Sequence, residues 1–117
     1  MSTPEQLVQT VLLGEAVEQA PVAILVADDE MRYVAANVTA CELLGYTRAE
    51  LLQLRVTDVA AYPEAEEEFE AMINSGELVG RTTVTRKDGT RRSLRHRSSE
   101  TKIAGLSYYV AVLWAEP

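Results

Sequence analysis

From Leu78 onward the alternation of polar and apolar positions along this chain changes to that of strands. Before it, apolar residues mostly recur at helical spacing; after it they alternate in the manner of strands. Thr3-Pro4-Glu5-Gln6 predicts a helix start, with Thr3 as N-cap, Pro4 at the first helical position and Gln6 completing a capping box. Leu7, Val8, Val11 and Leu12 then share one face of an amphipathic flanking helix. Gly14 predicts an interruption, with a second short helix ending near Ala20-Pro21. The resulting division is a flanking helix over 1–13 and a single domain over 14–117.

Val22 to Ala27 is too short an apolar run for a helix and stops at Asp28-Asp29, so it predicts a buried strand, with Arg32 to Ala36 returning as its hairpin partner. Asn37 then caps a helix through Ala40, Cys41 and Leu44 that Gly45 closes. Thr47-Arg48-Ala49-Glu50 is a second capping box, opening a short helix through Leu51 and Leu52. After a brief segment around Val56 and Val59, Pro63 predicts the start of a helix whose first turn holds Glu64, Glu66 and Glu67, favoured by the helix dipole. Its buried face is Phe69, Met72 and Ile73, and Ser75-Gly76 ends it. Asp88-Gly89 predicts a hairpin turn between residues 78–87 and 91–100, and Ala104-Gly105 a second turn leading into a last strand over 107–114. Two hairpins around a helical middle make an α+β domain, an antiparallel sheet with helices on one face.

At 117 residues and 47% hydrophobic positions this is one domain with enough apolar material for a core. The lone Cys41 excludes a disulfide framework and a Cys-rich metal site. There is no apolar stretch long enough to span a membrane and no basic segment leading into an apolar run at the N-terminus, so the expected compartment is the cytoplasm. The net charge of −7 hides an asymmetry: residues 1–80 carry 15 acidic and 3 basic side chains, residues 81–117 carry 8 basic and 3 acidic. Overall acidity argues against direct nucleic-acid binding. The basic cluster Arg81, Arg86, Lys87, Arg91, Arg92, Arg95, Arg97 and Lys102 reads first as solvated charge on exposed strands and second as a docking stripe.

No Gly-rich phosphate loop, nucleophile triad or metal-spaced cluster is present, so catalysis would have to reside in a region outside this chain. His96 is the single histidine; strand alternation places Leu94, His96 and Ser98 on the inner face and Ser93, Arg95 and Arg97 outside. A lone imidazole without a second ligand reads as a core histidine hydrogen-bonded to the helices rather than as a haem or metal ligand.

The element order, with the words Ala-Pro-Val-Ala-Ile-Leu-Val-Ala-Asp, Tyr-Val-Ala-Ala-Asn, Leu-Leu-Gly-Tyr-Thr-Arg-Ala-Glu-Leu-Leu and Arg-Lys-Asp-Gly-Thr, closely resembles the PAS sensor family from about Gly14 to Trp114. The resemblance implies a five-stranded antiparallel sheet whose concave face meets short helices around a cavity, in a module that senses small ligands, light or redox state, or pairs proteins. The light-sensing branch of that family uses a cysteine at the position of Val56, and grips flavin with amides where this chain has Val84, Leu94 and Leu113. Apolar side chains there would leave the polar edge of a flavin unpaired at ~1 to 3 kcal/mol per group. The family's haem histidine comes from the long helix, which offers Phe69, Glu70 and Met72. The non-photoactive subtype follows, with no flavin or haem, and a small apolar ligand as the class a cavity would admit.

The expected function is a PAS sensory and protein-interaction domain of a signal-transduction or transcription-regulatory protein, without catalysis of its own, acting by population shift of its flanking helix. The alternative is a ligand-free dimerisation scaffold. Candidate cavity residues are Leu25, Ala27, Val56, Phe69, Met72, Val84, Leu94, His96, Ala111 and Leu113. On the last strand Tyr108, Val110, Val112 and Trp114 face the other way; with Leu7, Val8, Val11 and Leu12 they are candidates for a homodimer interface, beside an effector domain or partner signalling protein, with no membrane contact. The chain ends Trp114-Ala115-Glu116-Pro117 without the Asp-Ile-Thr motif that commonly follows the last PAS strand, which fits either a domain cut from a longer protein or a free-standing module.

Overall fold

A computed structural model of the chain describes residues 3–60 and 64–115, with the side chain of Glu66 excepted. The elements run α1 (Pro4–Glu18), β1 (Ala23–Asp28), β2 (Tyr33–Ala36), α2 (Val38–Leu44), α3 (Arg48–Leu51), α4 (Val56–Val59), α5 (Ala65–Ser75), β3 (Glu77–Thr85), β4 (Arg91–Ile103) and β5 (Leu106–Ala115). The strands form one antiparallel sheet in the order β2-β1-β5-β4-β3. This is the α+β architecture that the change of period predicts.

Local chemistry explains most element boundaries. Thr3 and Gln6 exchange the two bonds of a capping box, as do Thr47 and Glu50. Gly45 and Gly76 end α2 and α5 in the left-handed conformation, which glycine adopts without a side-chain clash. Leaving α2, the carbonyls of Leu43 and Leu44 have no partner within the helix; Arg86 Nε (2.8 Å) and Lys87 N (2.9 Å) donate to them and pin the β3–β4 hairpin to its end. Leu44 and Leu51 are fully buried and join Leu25, Val59, Val84, Leu94 and Leu113 in the main core between sheet and helices.

Three expectations need correction. Gly14 does not interrupt the first helix, which runs unbroken to Glu18; one glycine costs a helix only about 1 kcal/mol, less than a break with eight unsatisfied backbone groups. Nor is α1 cleanly amphipathic. At ~100° per residue, Leu13 and Val17 point away from Leu7 and Val11, and Glu15 and Glu18 fall within the face those leucines and valines share. On α5, Ile73 is 37% exposed because the stripe facing the sheet is Ala65, Phe69 and Met72, one step round the helix. The segment around Val56 and Val59 is a helical turn, stabilised by Asp58 Oδ2 accepting from the Arg55 amide at 2.8 Å. The expected helix start at Pro63 lies outside the described residues.

Candidate functional site

The inner face of the sheet is lined by cross-strand rows. One row reads Leu78, Ser98, Ala111 and Leu25; the next reads Gly80, His96, Leu113 and Ala23. Small residues in these rows, with Ala27 beside them, leave the floor short of filling the space beneath the helices. A cavity of about 90 Å³ remains between the sheet, α4 and α5. Phe69 and Met72 roof it, and the Phe69 ring meets Tyr109 edge-on, with centroids 5.4 Å apart at 62°. Met31 packs against the same cluster from the β1–β2 turn. Met31 has φ 66°, and its carbonyl accepts from the Val56 amide at 2.7 Å, tying this turn to α4.

Leu25, Ala27, Val56, Phe69, Met72, Val84, His96, Ala111 and Leu113 all line this cavity. Leu94 does not: it lies one row beyond His96, paired across β3 with Thr82, and is fully buried in the main core. Tyr33 and Glu68 were missed by strand and helix reading. A bulge between Val26 and Ala27 breaks the alternation of β2 and turns Tyr33 and Ala36 to the same side, which no periodicity shows. Glu68 did carry a signal, since it stands four residues before Met72 on the helix.

His96 is buried, and its Nδ1 lies 3.2 Å from Ser98 Oγ. The expected bond to the helices is replaced by this one, because the residue two along the same strand faces the same way. Burial pushes the His96 pKa down, with the Glu68 carboxylate pulling the other way. Burial likewise raises the Tyr33 phenol well above its usual value, with Asp58 adding to it. Cys41 is half-buried in α2 with its thiol pKa raised by burial, the environment of a packing residue rather than a nucleophile. Among the described residues no cluster of His, Cys, Asp or Glu could hold a metal ion.

The site does not fit a flavin. Val56 stands where a reactive thiol would be needed, Val84 and Leu113 present only methyl groups to the cavity, and about 90 Å³ is well below the ~300 Å³ at which cofactor pockets begin.

Outside the cavity, a second arrangement ties α1 to the domain. Asn37 uses its whole side chain: Oδ1 accepts from Ile24 N (3.0 Å) and Ala40 N (2.9 Å), and Nδ2 donates to the carbonyls of Val17 (2.8 Å) and Val22 (3.0 Å). Thr39 Oγ1 donates to the Ala20 carbonyl (2.6 Å), and Arg48 pairs with Glu18 while its Nε donates to the Ala36 carbonyl (2.9 Å). Among the described residues, only the C-terminal end of α1 is held this way. Its apolar residues Leu7, Val8, Val11, Leu12, Leu13 and Val17 stay 44–64% exposed. On the outer sheet face Trp114 is exposed and Tyr108, Val110 and Val112 are half-buried. In the basic cluster Lys87 pairs with Glu50 and Arg97 with Glu77.

The sequence model of one family, described as PAS domain, matches residues 21–112. No curated protein matches the chain. Among solved structures, a PAS domain from a two-component sensor histidine kinase superposes with TM-score 0.84 at 13% identity, covering 93% of this chain and 97% of that one. A domain of the sensory box sensor histidine kinase/response regulator from Geobacter sulfurreducens gives 0.77 at 21%, covering 96% and 98%. An RNA-binding light-oxygen-voltage receptor gives 0.81 at 24%, covering 97% of this chain and 34% of that one. At these identities the likeness is one of fold.

Proposed function

Because this chain belongs to the PAS domain family, whose members are generally sensory and non-catalytic modules, we propose that it serves a cytoplasmic signalling or transcription-regulatory protein as a sensory and interaction domain. In this reading a ligand in the cavity, or a partner on the sheet, favours one packing of α1 over another, and α1 carries the difference to an effector. The observation that carries the reading is Asn37. Leu25 and Ala27 of β1 line the cavity, Ile24 between them and the strand's start donates to Asn37, and Asn37 in turn donates to the last turn of α1. A displacement of β1 therefore has a short hydrogen-bonded route to the helix.

The exposed apolar side chains of α1 find their cover in a second copy of the chain, against the outer face formed by Tyr108, Val110, Val112 and Trp114. Light scattering of the intact chain and of a variant lacking residues 1–13 tests this. The intact chain should have twice the monomer mass at high micromolar concentration and the truncated one the monomer mass. An intact chain that remains monomeric defeats the dimer. A dimer whose cavity admits no probe would instead mark a ligand-free pairing scaffold.

A further inference from the structure

Four polar side chains of the cavity, Glu68, Thr82, His96 and Ser98, stand where α5 meets β3 and β4; Leu25, Val56 and Phe69 are among its apolar lining, to which Tyr33 and Tyr109 add phenol rings. His96 and Ser98 are 7% and 6% exposed, and both line this small space. The imidazole engages Ser98 through Nδ1, and its Nε2 has no hydrogen-bond partner among the described residues.

Building on the reading that the cavity takes a ligand, we infer that it selects a small uncharged alcohol, with its hydroxyl on His96 Nε2 and its hydrocarbon body against Phe69 and Met72. A hydroxyl suits the imidazole whichever tautomer Ser98 holds, because it can donate to a bare Nε2 or accept from an Nε2–H. Charge argues the same way. Among the described lining residues Glu68 is the one formally charged group, and no Lys or Arg is present, so a carboxylate or phosphate would be buried without a counter-charge. Glu68 already has an interaction of its own, so it is not a counter-ion held ready for an ammonium group. Size sets the limit: about 90 Å³ is small beside the ~300 Å³ at which ordinary ligand pockets begin, so only a small molecule is admitted.

The test uses the intact chain with methyl-labelled methionine, followed by NMR at Met72 and at the His96 ring, and 1-butanol, butyrate, 1-butylamine and xenon as probes. Butanol should shift both signals saturably, and butyrate and butylamine should bind about tenfold or more weakly, the effect of one lost or unpaired buried polar contact. His96→Phe should weaken butanol by a similar factor while xenon still enters, which shows that fold and cavity persist. Butyrate or butylamine binding as well as butanol, or butanol indifferent to His96→Phe, overturns the inference while leaving the ligand reading intact. Xenon entering where butanol does not also overturns it alone. Exclusion of xenon as well as butanol overturns both.

Discussion

Helix α5 packs on the sheet and α1 is tied to the domain by its last turn, and the two dispose of their apolar side chains in opposite ways. In α5 the residues Ala65, Phe69 and Met72 form one stripe, and that stripe is buried over the cavity. In α1 the apolar residues wind round the helix among Glu5, Glu15 and Glu18, none is buried, and among the described residues the helix is held through its last turn alone. A helix with one apolar stripe has its position set by its own chain. One with apolar residues on several sides has burial left to gain elsewhere. On the proposed function, the difference would put reception in the region under α5 and output in α1, with Asn37 joining them.

The largest effect should separate the two helices outright. Phe69→Ala removes a buried ring and should cost about 3 to 4 kcal/mol in denaturant unfolding, whereas Leu12→Ala, measured dilute enough to keep the chain monomeric, should stay within about 0.5 kcal/mol. Comparable losses at the two sites would mean that α1 is packed on its own domain after all. Next in size is the joint. Asn37→Ala leaves two amides and two carbonyls without their partner and should cost about 2 kcal/mol, while amide exchange in the Val17–Gln19 turn speeds up more than exchange in α5.

A smaller effect concerns pH. The folded His96 pKa lies below the ordinary imidazole value of 6.5, so the unfolded chain takes up its proton first as pH falls. The stability associated with His96 is therefore fully present above about pH 6.5 and is lost progressively as pH falls through the folded value. His96→Phe should remove that component of the pH slope, and an unchanged slope between pH 7 and pH 5 would show that the imidazole is not desolvated. The smallest expected signal is none: purified protein should show no absorbance band in the flavin or haem region after desalting, and a band that survives would place a cofactor in the cavity against the apolar character of Val84 and Leu113.

Elements defined by local chemistry were legible from residues alone. The capping residues Thr3, Asn37 and Thr47, the closing glycines Gly45 and Gly76, and the Asp88-Gly89 turn each satisfy backbone groups within a few positions, so their signals are local. The faces of β4 and β5 were legible for the same reason, since alternation is regular there. What escaped depends on contacts distant in sequence. Tyr33 turns inward because of a bulge in its pairing with β1, and Asn37, readable as a cap, also bridges α1 and β1 through partners 13 to 20 residues away. The unbroken passage of α1 through Gly14 escaped because a glycine only weakens a helix, and the flanking turns decide whether it continues.

The central claim is that α1 gains its burial from outside its own chain. Hydrogen exchange of the backbone amides, followed over protein concentrations from low to high micromolar, tests it most directly. The account predicts that α1 amides from Leu7 to Leu13 exchange quickly when dilute and become protected as concentration rises, together with β5, while the protection of α5 stays constant. Protection of α1 that is already present when dilute and does not change with concentration would contradict it.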